Sequence, residues 1–157
     1  MVIILWLSSS VDEKGIITKY NKETEANQVT SLVDMYEDAG IRFPYVVLAQ
    51  SVLETDWFQS PIYEHNRNRF GMKFNRRGYT TKKVRGHAYY PSSVASLKDY
   101  AAWQKRVLAL KVCNSEEDYL DVLDDLPLCK GCRYAEDPNY TYKLRGIMQK
   151  LRELESI

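Results

Sequence analysis

Apolar side chains along the chain recur at two distinct periods, and those periods lay out the elements. Ala26, Val29, Leu32, Val33, Tyr36 and Ala39 follow the three-to-four spacing of an amphipathic helix, predicting one over 25–39 that Gly40 closes. Pro44 suits the first position of a second helix, running from Tyr45 to about Trp57. In that helix Val46, Val47, Leu48, Ala49, Val52 and Leu53 cover most of the circumference, as expected of a central, buried element. Glu54 stands near its end among these apolar neighbours.

Residues 59–69 hold a proline and two asparagines without periodicity and read as a loop. Phe70–Phe74, Tyr79–Val84 and His87–Tyr90 are short β-prone runs punctuated by Gly78 and Gly86, predicting a small antiparallel hairpin or meander. Pro91-Ser-Ser93 opens a helix through about Leu110, with Val94, Leu97, Tyr100, Ala101 and Val107 inward and Ser92 or Ser93 as its cap. Ser115–Asp118 resembles a capping box ahead of Tyr119, Leu120 and Leu123. A loop containing Pro127, Cys129, Cys132 and Pro138 then leads to a last helix, about Tyr140 to Leu154. The predicted fold class is mostly α (α+β): a helical domain with one small antiparallel β-hairpin lobe. Residues 1–24 read as an N-terminal arm or linker, and 25–157 as the domain.

Composition narrows this picture in a few places. A chain of 157 residues with 45% apolar and 27% charged residues suits one globular core. Its 12 tyrosines and 3 tryptophans serve a core, a ligand groove, or both. A net charge of +1 gives no global steering toward an anionic partner. The apolar start, Met1–Leu7, is far short of the about 20 residues needed to span a bilayer and lacks the basic region and cleavage site of a secretory signal. Cys129 and Cys132 have the spacing of loop thiols, of a disulfide, or of half a metal site. Only Cys113 and two distant histidines remain as further ligands, so neither metal nor cofactor is expected.

Glu54 is the residue with chemical promise. Burying a carboxyl at the end of an apolar helix raises its pKa, which is what a general acid needs near neutral pH. Trp57, three positions on, would share its helical face and shield it from water. The same spacing also fits a solvent-facing glutamate at a helix end. Downstream, Arg67, Arg69, Lys73, Arg76, Arg77, Lys82, Lys83 and Arg85 crowd a stretch, 65–98, that holds no Asp or Glu. Such a lobe is either a solvated hairpin or a surface for anionic polymer. A nucleic-acid reading would use Phe70, Phe74, Tyr79, Tyr89 and Tyr90 as stacking platforms, and is not favoured.

Ordered motifs decide among these readings. Leu48-Ala-Gln-Ser-Val-Leu-Glu54-Thr-Asp-Trp57 is followed by Asn68-Arg-Phe70-Gly71-Met-Lys73. Next come Tyr90-Pro-Ser-Ser-Val-Ala-Ser-Leu-Lys-Asp-Tyr100 and Arg133-Tyr134-Ala-Glu-Asp-Pro-Asn-Tyr140-Thr-Tyr-Lys143-Leu. Together they resemble the glucosaminidase family of peptidoglycan hydrolases, glycoside hydrolase family seventy-three, over roughly residues 25–154. The resemblance implies a lysozyme-like α fold with a β lobe across the cleft from the catalytic helix. It implies hydrolysis of the β-1,4 bond after N-acetylglucosamine in peptidoglycan glycan strands, without metal. It makes Glu54 the general acid and Tyr134 a catalytic or substrate-orienting residue. Trp57, Asn68, Phe70, Gly71, Tyr90 and Tyr140 become substrate-binding positions, while Asp137 and Pro138 hold a loop.

One departure stands out. Many relatives carry a second carboxylate in the β lobe, the usual partner of the acid. Here the candidate base is Glu64, which needs its loop to fold over the cleft; otherwise the substrate's own acetamido group would serve. Expected partners are peptidoglycan strands, with no nucleic acid, no membrane span and an open oligomeric state. A phage lysin or virion-associated lytic protein is the expected setting, with a bacterial autolysin next. The location of action is then the cell wall, periplasm or exterior. A protein that keeps the fold and binds glycan without cutting it is the alternative.

Overall fold

The structure, a computed structural model, describes residues 15–156, and their side chains from 25 onward. The expectations for Met1–Leu7 lie outside the described residues. Among the described residues six helices and a two-stranded sheet follow one another: α1 (Gly15–Asp38), α2 (Pro44–Glu54), α3 (Pro61–Asn66), β1 (Lys82–Val84), β2 (His87–Tyr89), α4 (Ser93–Leu110), α5 (Glu116–Asp124) and α6 (Tyr140–Glu155). Several boundaries differ from the sequence reading. Helix α1 starts at Gly15, ten residues before the expected position, because neither glycine nor proline interrupts the chain again until Gly40. The stretch 59–69 contains α3, too short to show a helical period, capped by Ser60 Oγ accepting the Tyr63 N–H at 3.2 Å. Phe70–Phe74 and Tyr79–Thr81 lie beside the hairpin without forming strands.

Helix α2 is the centre of the molecule. Every residue from Val46 to Val52 is buried, and α6, α1 and α5 pack around it. Its entry is set by Phe43, at φ 58, followed by Pro44 in the first turn. The Gln104 side chain clasps the backbone of Arg42, accepting its N–H at 2.8 Å and donating to its carbonyl at 2.7 Å, and so ties α4 to this turn. The helix stops at Glu54. Thr55 Oγ1 donates to the Ser51 carbonyl and accepts the Phe58 N–H, and Asp56, Trp57 and Phe58 all take left-handed backbone angles. A threonine that bonds locally in this way competes with the helical ladder.

The β lobe is a single hairpin in the register Lys82↔Tyr89, Lys83↔Ala88 and Val84↔His87. Arg85 and Gly86, both at positive φ, make its two-residue turn. Polar side chains inside the lobe hold it to the helices. Asn66 Nδ2 donates to Val84 O at 3.0 Å, and Asn68 Nδ2 to Met72 O and Ala88 O at 2.9 and 3.1 Å. Asp99, fully buried on α4, accepts from Arg77 Nε, Tyr90 Oη and Asn75 Nδ2 at 2.5, 2.6 and 2.8 Å. This one carboxylate fastens three parts of a lobe that has no acid of its own. Cys129 and Cys132, left open by their spacing, are joined as a disulfide in the loop between α5 and α6, and Cys113 is a buried free thiol.

Candidate active site

Glu54 ends α2 at the floor of a cleft of about 470 Å³. The walls come from Phe70–Asn75 and Arg77 of the lobe, Trp103 of α4, and Leu126 and Arg133–Ala135 of the α5–α6 loop. Two contacts fix the carboxyl. Oε1 accepts the Tyr140 hydroxyl at 3.0 Å, and Oε2 lies where a Cβ on Gly71 would come within 3.3 Å. Gly71 has φ 61, so both its conformation and the close carboxylate favour glycine there. The buried Asn68 builds that approach, its Oδ1 accepting the Phe70 and Met72 N–H groups at 3.3 and 3.1 Å.

Burial lifts the Glu54 carboxyl above the ordinary glutamate range, and the Tyr140 hydrogen bond draws it part of the way back. Behind the carboxyl runs a buried relay. Gln50, one turn earlier on α2, donates through Nε2 to the Tyr140 oxygen at 3.4 Å and accepts the Tyr100 hydroxyl at Oε1. Because Tyr100 spends its proton on Gln50, Tyr119 must be the donor in the 2.7 Å bond between the two phenols. Burial raises the Tyr100 and Tyr140 hydroxyls far above the usual phenol range, so they stay neutral donors. Tyr134 lines the cleft, stacks on Tyr140 at 5.6 Å and meets Trp103 edge-on at 5.4 Å. Its hydroxyl donates to the Phe70 carbonyl at 3.2 Å.

Several expected site residues fall elsewhere. Trp57 does not share a helical face with Glu54: the left-handed turn swings it to the opposite side, where it meets Val29, Leu32 and Leu154, with Lys150 Nζ 5.1 Å from its ring centre. Glu64 is exposed on α3, which packs against β2, and it is absent from the cleft wall. Tyr90 is fully buried with its hydroxyl on Asp99, and Tyr140 is buried behind Glu54, so neither offers a face to substrate. Gln50, Trp103, Lys73 and Arg133 belong to the site or its wall without having been assigned a role. Gln50 had a signal: it is a polar residue in a helix otherwise apolar all round. A larger groove of about 710 Å³ runs between α5 and α6, but exposed ion pairs rim it, Arg145–Glu117 and Arg152–Glu116.

The family model described as mannosyl-glycoprotein endo-beta-N-acetylglucosaminidase matches residues 29–153. The chain belongs to this glucosaminidase family. It is therefore a glycoside hydrolase. The catalytic domain of the autolysin Auto from Listeria monocytogenes has the same fold. It superposes with a TM-score of 0.56 at 21% identity, over 94% of this chain and 90% of that one. No curated protein matches the glucosaminidase in sequence.

Proposed function

We propose that this glucosaminidase is an endo-β-N-acetylglucosaminidase that hydrolyses the β-1,4 bond after N-acetylglucosamine in bacterial peptidoglycan. The observation that carries this reading is Glu54: the one carboxyl in the cleft wall, its pKa raised by burial, with its Oε2 facing a glycine whose missing side chain leaves room beside it. In this reading protonated Glu54 donates to the glycosidic oxygen as the bond to the anomeric carbon breaks. No second carboxylate lines the cleft among the described residues, so the partner role passes to the substrate. The 2-acetamido oxygen of the N-acetylglucosamine attacks the anomeric carbon, and water then opens the cyclic intermediate with ionised Glu54 accepting its proton. Tyr134 holds the acetamido group or the water from the cleft wall. A lytic setting follows from this reaction, as a phage lysin, virion-associated lytic protein or secreted autolysin.

Reducing-end release from purified peptidoglycan tests the proposal. The wild type should release N-acetylglucosamine reducing ends, and Glu54→Gln should fall by about 10²–10⁴ in rate. Equal release by both proteins would exclude Glu54 as the acid. Release of muramic acid ends instead would overturn the bond assignment. A fall in turbidity of susceptible cells on external addition checks the lytic setting.

A further inference from the structure

The cleft wall carries more positive charge than the lobe's own packing consumes. Lys73 stands two residues beyond Gly71, and Arg133 directly precedes Tyr134, so the two enter the cleft from different segments. Among the described residues the ion pairs are Arg77–Asp99, Lys143–Asp137, Arg145–Glu117 and Arg152–Glu116. Arg77 is thus committed to a buried carboxylate, while Lys73 and Arg133 face none. Arg133 is oriented by its Nε, which donates to the Asp124 carbonyl at 3.2 Å and leaves both terminal guanidinium nitrogens as donors. Both side chains are exposed, and the lone acid of the wall is Glu54. Arg76, Lys83 and Arg85 are exposed on the lobe too, yet they stand outside the cleft wall.

We propose that Lys73 and Arg133 form an oxyanion subsite that grips an acidic group carried by the glycan next to the sugar under attack. This rests on the peptidoglycan reading above. An arginine fork and a point-charge lysine from two segments suit a carboxylate or a phosphate oxygen, and a neutral polysaccharide offers neither. Stem-peptide and lactyl carboxylates are one source, and phosphodiester polymers attached to the wall are the other. The pair selects acidic glycan over neutral chains of the same linkage.

Co-sedimentation of Glu54→Gln protein with insoluble peptidoglycan reads this subsite without turnover. Substrate arms are native wall, carboxyl-amidated wall, and wall stripped of phosphodiester polymer by hydrofluoric acid. Adding Lys73→Gln and Arg133→Gln should weaken binding to native wall about tenfold, the scale of two exposed charge contacts. Amidation should remove that difference if the group is a carboxylate, and stripping should remove it if it is a phosphate. Lys83→Gln with Arg85→Gln, outside the cleft, should change binding far less. Equal binding of Glu54→Gln protein to all arms, or an equal loss from the outer pair, would overturn the subsite. Absence of reducing-end release by the wild type would instead sink the proposed function and leave these binding outcomes to decide the subsite. Unchanged melting of the variants confirms that only surface charge was altered.

Discussion

Glu54 and Gly71 act as a pair, and each predicts a consequence for the other. Burial raises the folded-state pKa of Glu54 above its unfolded value, so its contribution to stability is fully present below the ordinary carboxyl pKa. That contribution is lost as pH rises through the raised value, because ionisation then leaves a charge in a partly dry site. Glu54→Gln should therefore flatten the pH dependence of melting above the ordinary carboxyl range, as thermal unfolding at a series of pH values would show. The proposed acid role has the same sign, so the wild-type rate should fall as pH rises through that raised pKa. At Gly71, alanine would meet both the 3.3 Å carboxylate contact and φ 61. Gly71→Ala should cost about 1–2 kcal/mol in denaturant unfolding and lower kcat, since the carboxyl must move away.

Between elements, hydrogen bonds replace what apolar packing cannot specify. The relay from Tyr119 through Tyr100, Gln50 and Tyr140 links α5, α4, α2 and α6 at the carboxyl. Tyr140→Phe removes the bond that lowers the Glu54 pKa, so the alkaline limb of the pH–rate profile should move to higher pH while kcat falls. A residue with only a packing role would not move that limb. On the other side of the cleft, Asp99→Ala would leave Arg77, Tyr90 and Asn75 without their shared acceptor. Loss of about 3 kcal/mol is expected from breaking such a buried pair, read by chemical denaturation. The hairpin was readable in sequence from Val84, Gly86 and Tyr89. Its anchor was not, because nothing local in Asp99 shows that it meets residues of the lobe more than twenty positions earlier.

At the scale of the molecule, a lysozyme-like body holds a cleft between the α2 terminus, the lobe and the α5–α6 loop. That loop carries Arg133 and Tyr134 and is closed by the Cys129–Cys132 disulfide, with Leu126 N–H donating to Cys132 O at 2.8 Å. Reduction should lower stability by about 2 kcal/mol, the entropic scale for so short a closed loop. Melting with and without a thiol reductant checks this. None of the described helices is long and apolar enough to cross a membrane. What the sequence by itself determined was local: α2 apolar all round, an acid at its last turn, a basic lobe, and the capping box Ser115–Asp118, which the structure reproduces. Periodicity reports how much of an element is buried, but not which neighbour buries it. Tertiary structure alone decided that Trp57 packs on the α1–α6 side, that Tyr140 faces the acid, and that Glu64 stays outside. Each of these depends on contacts between segments far apart in the chain, which a local pattern does not encode.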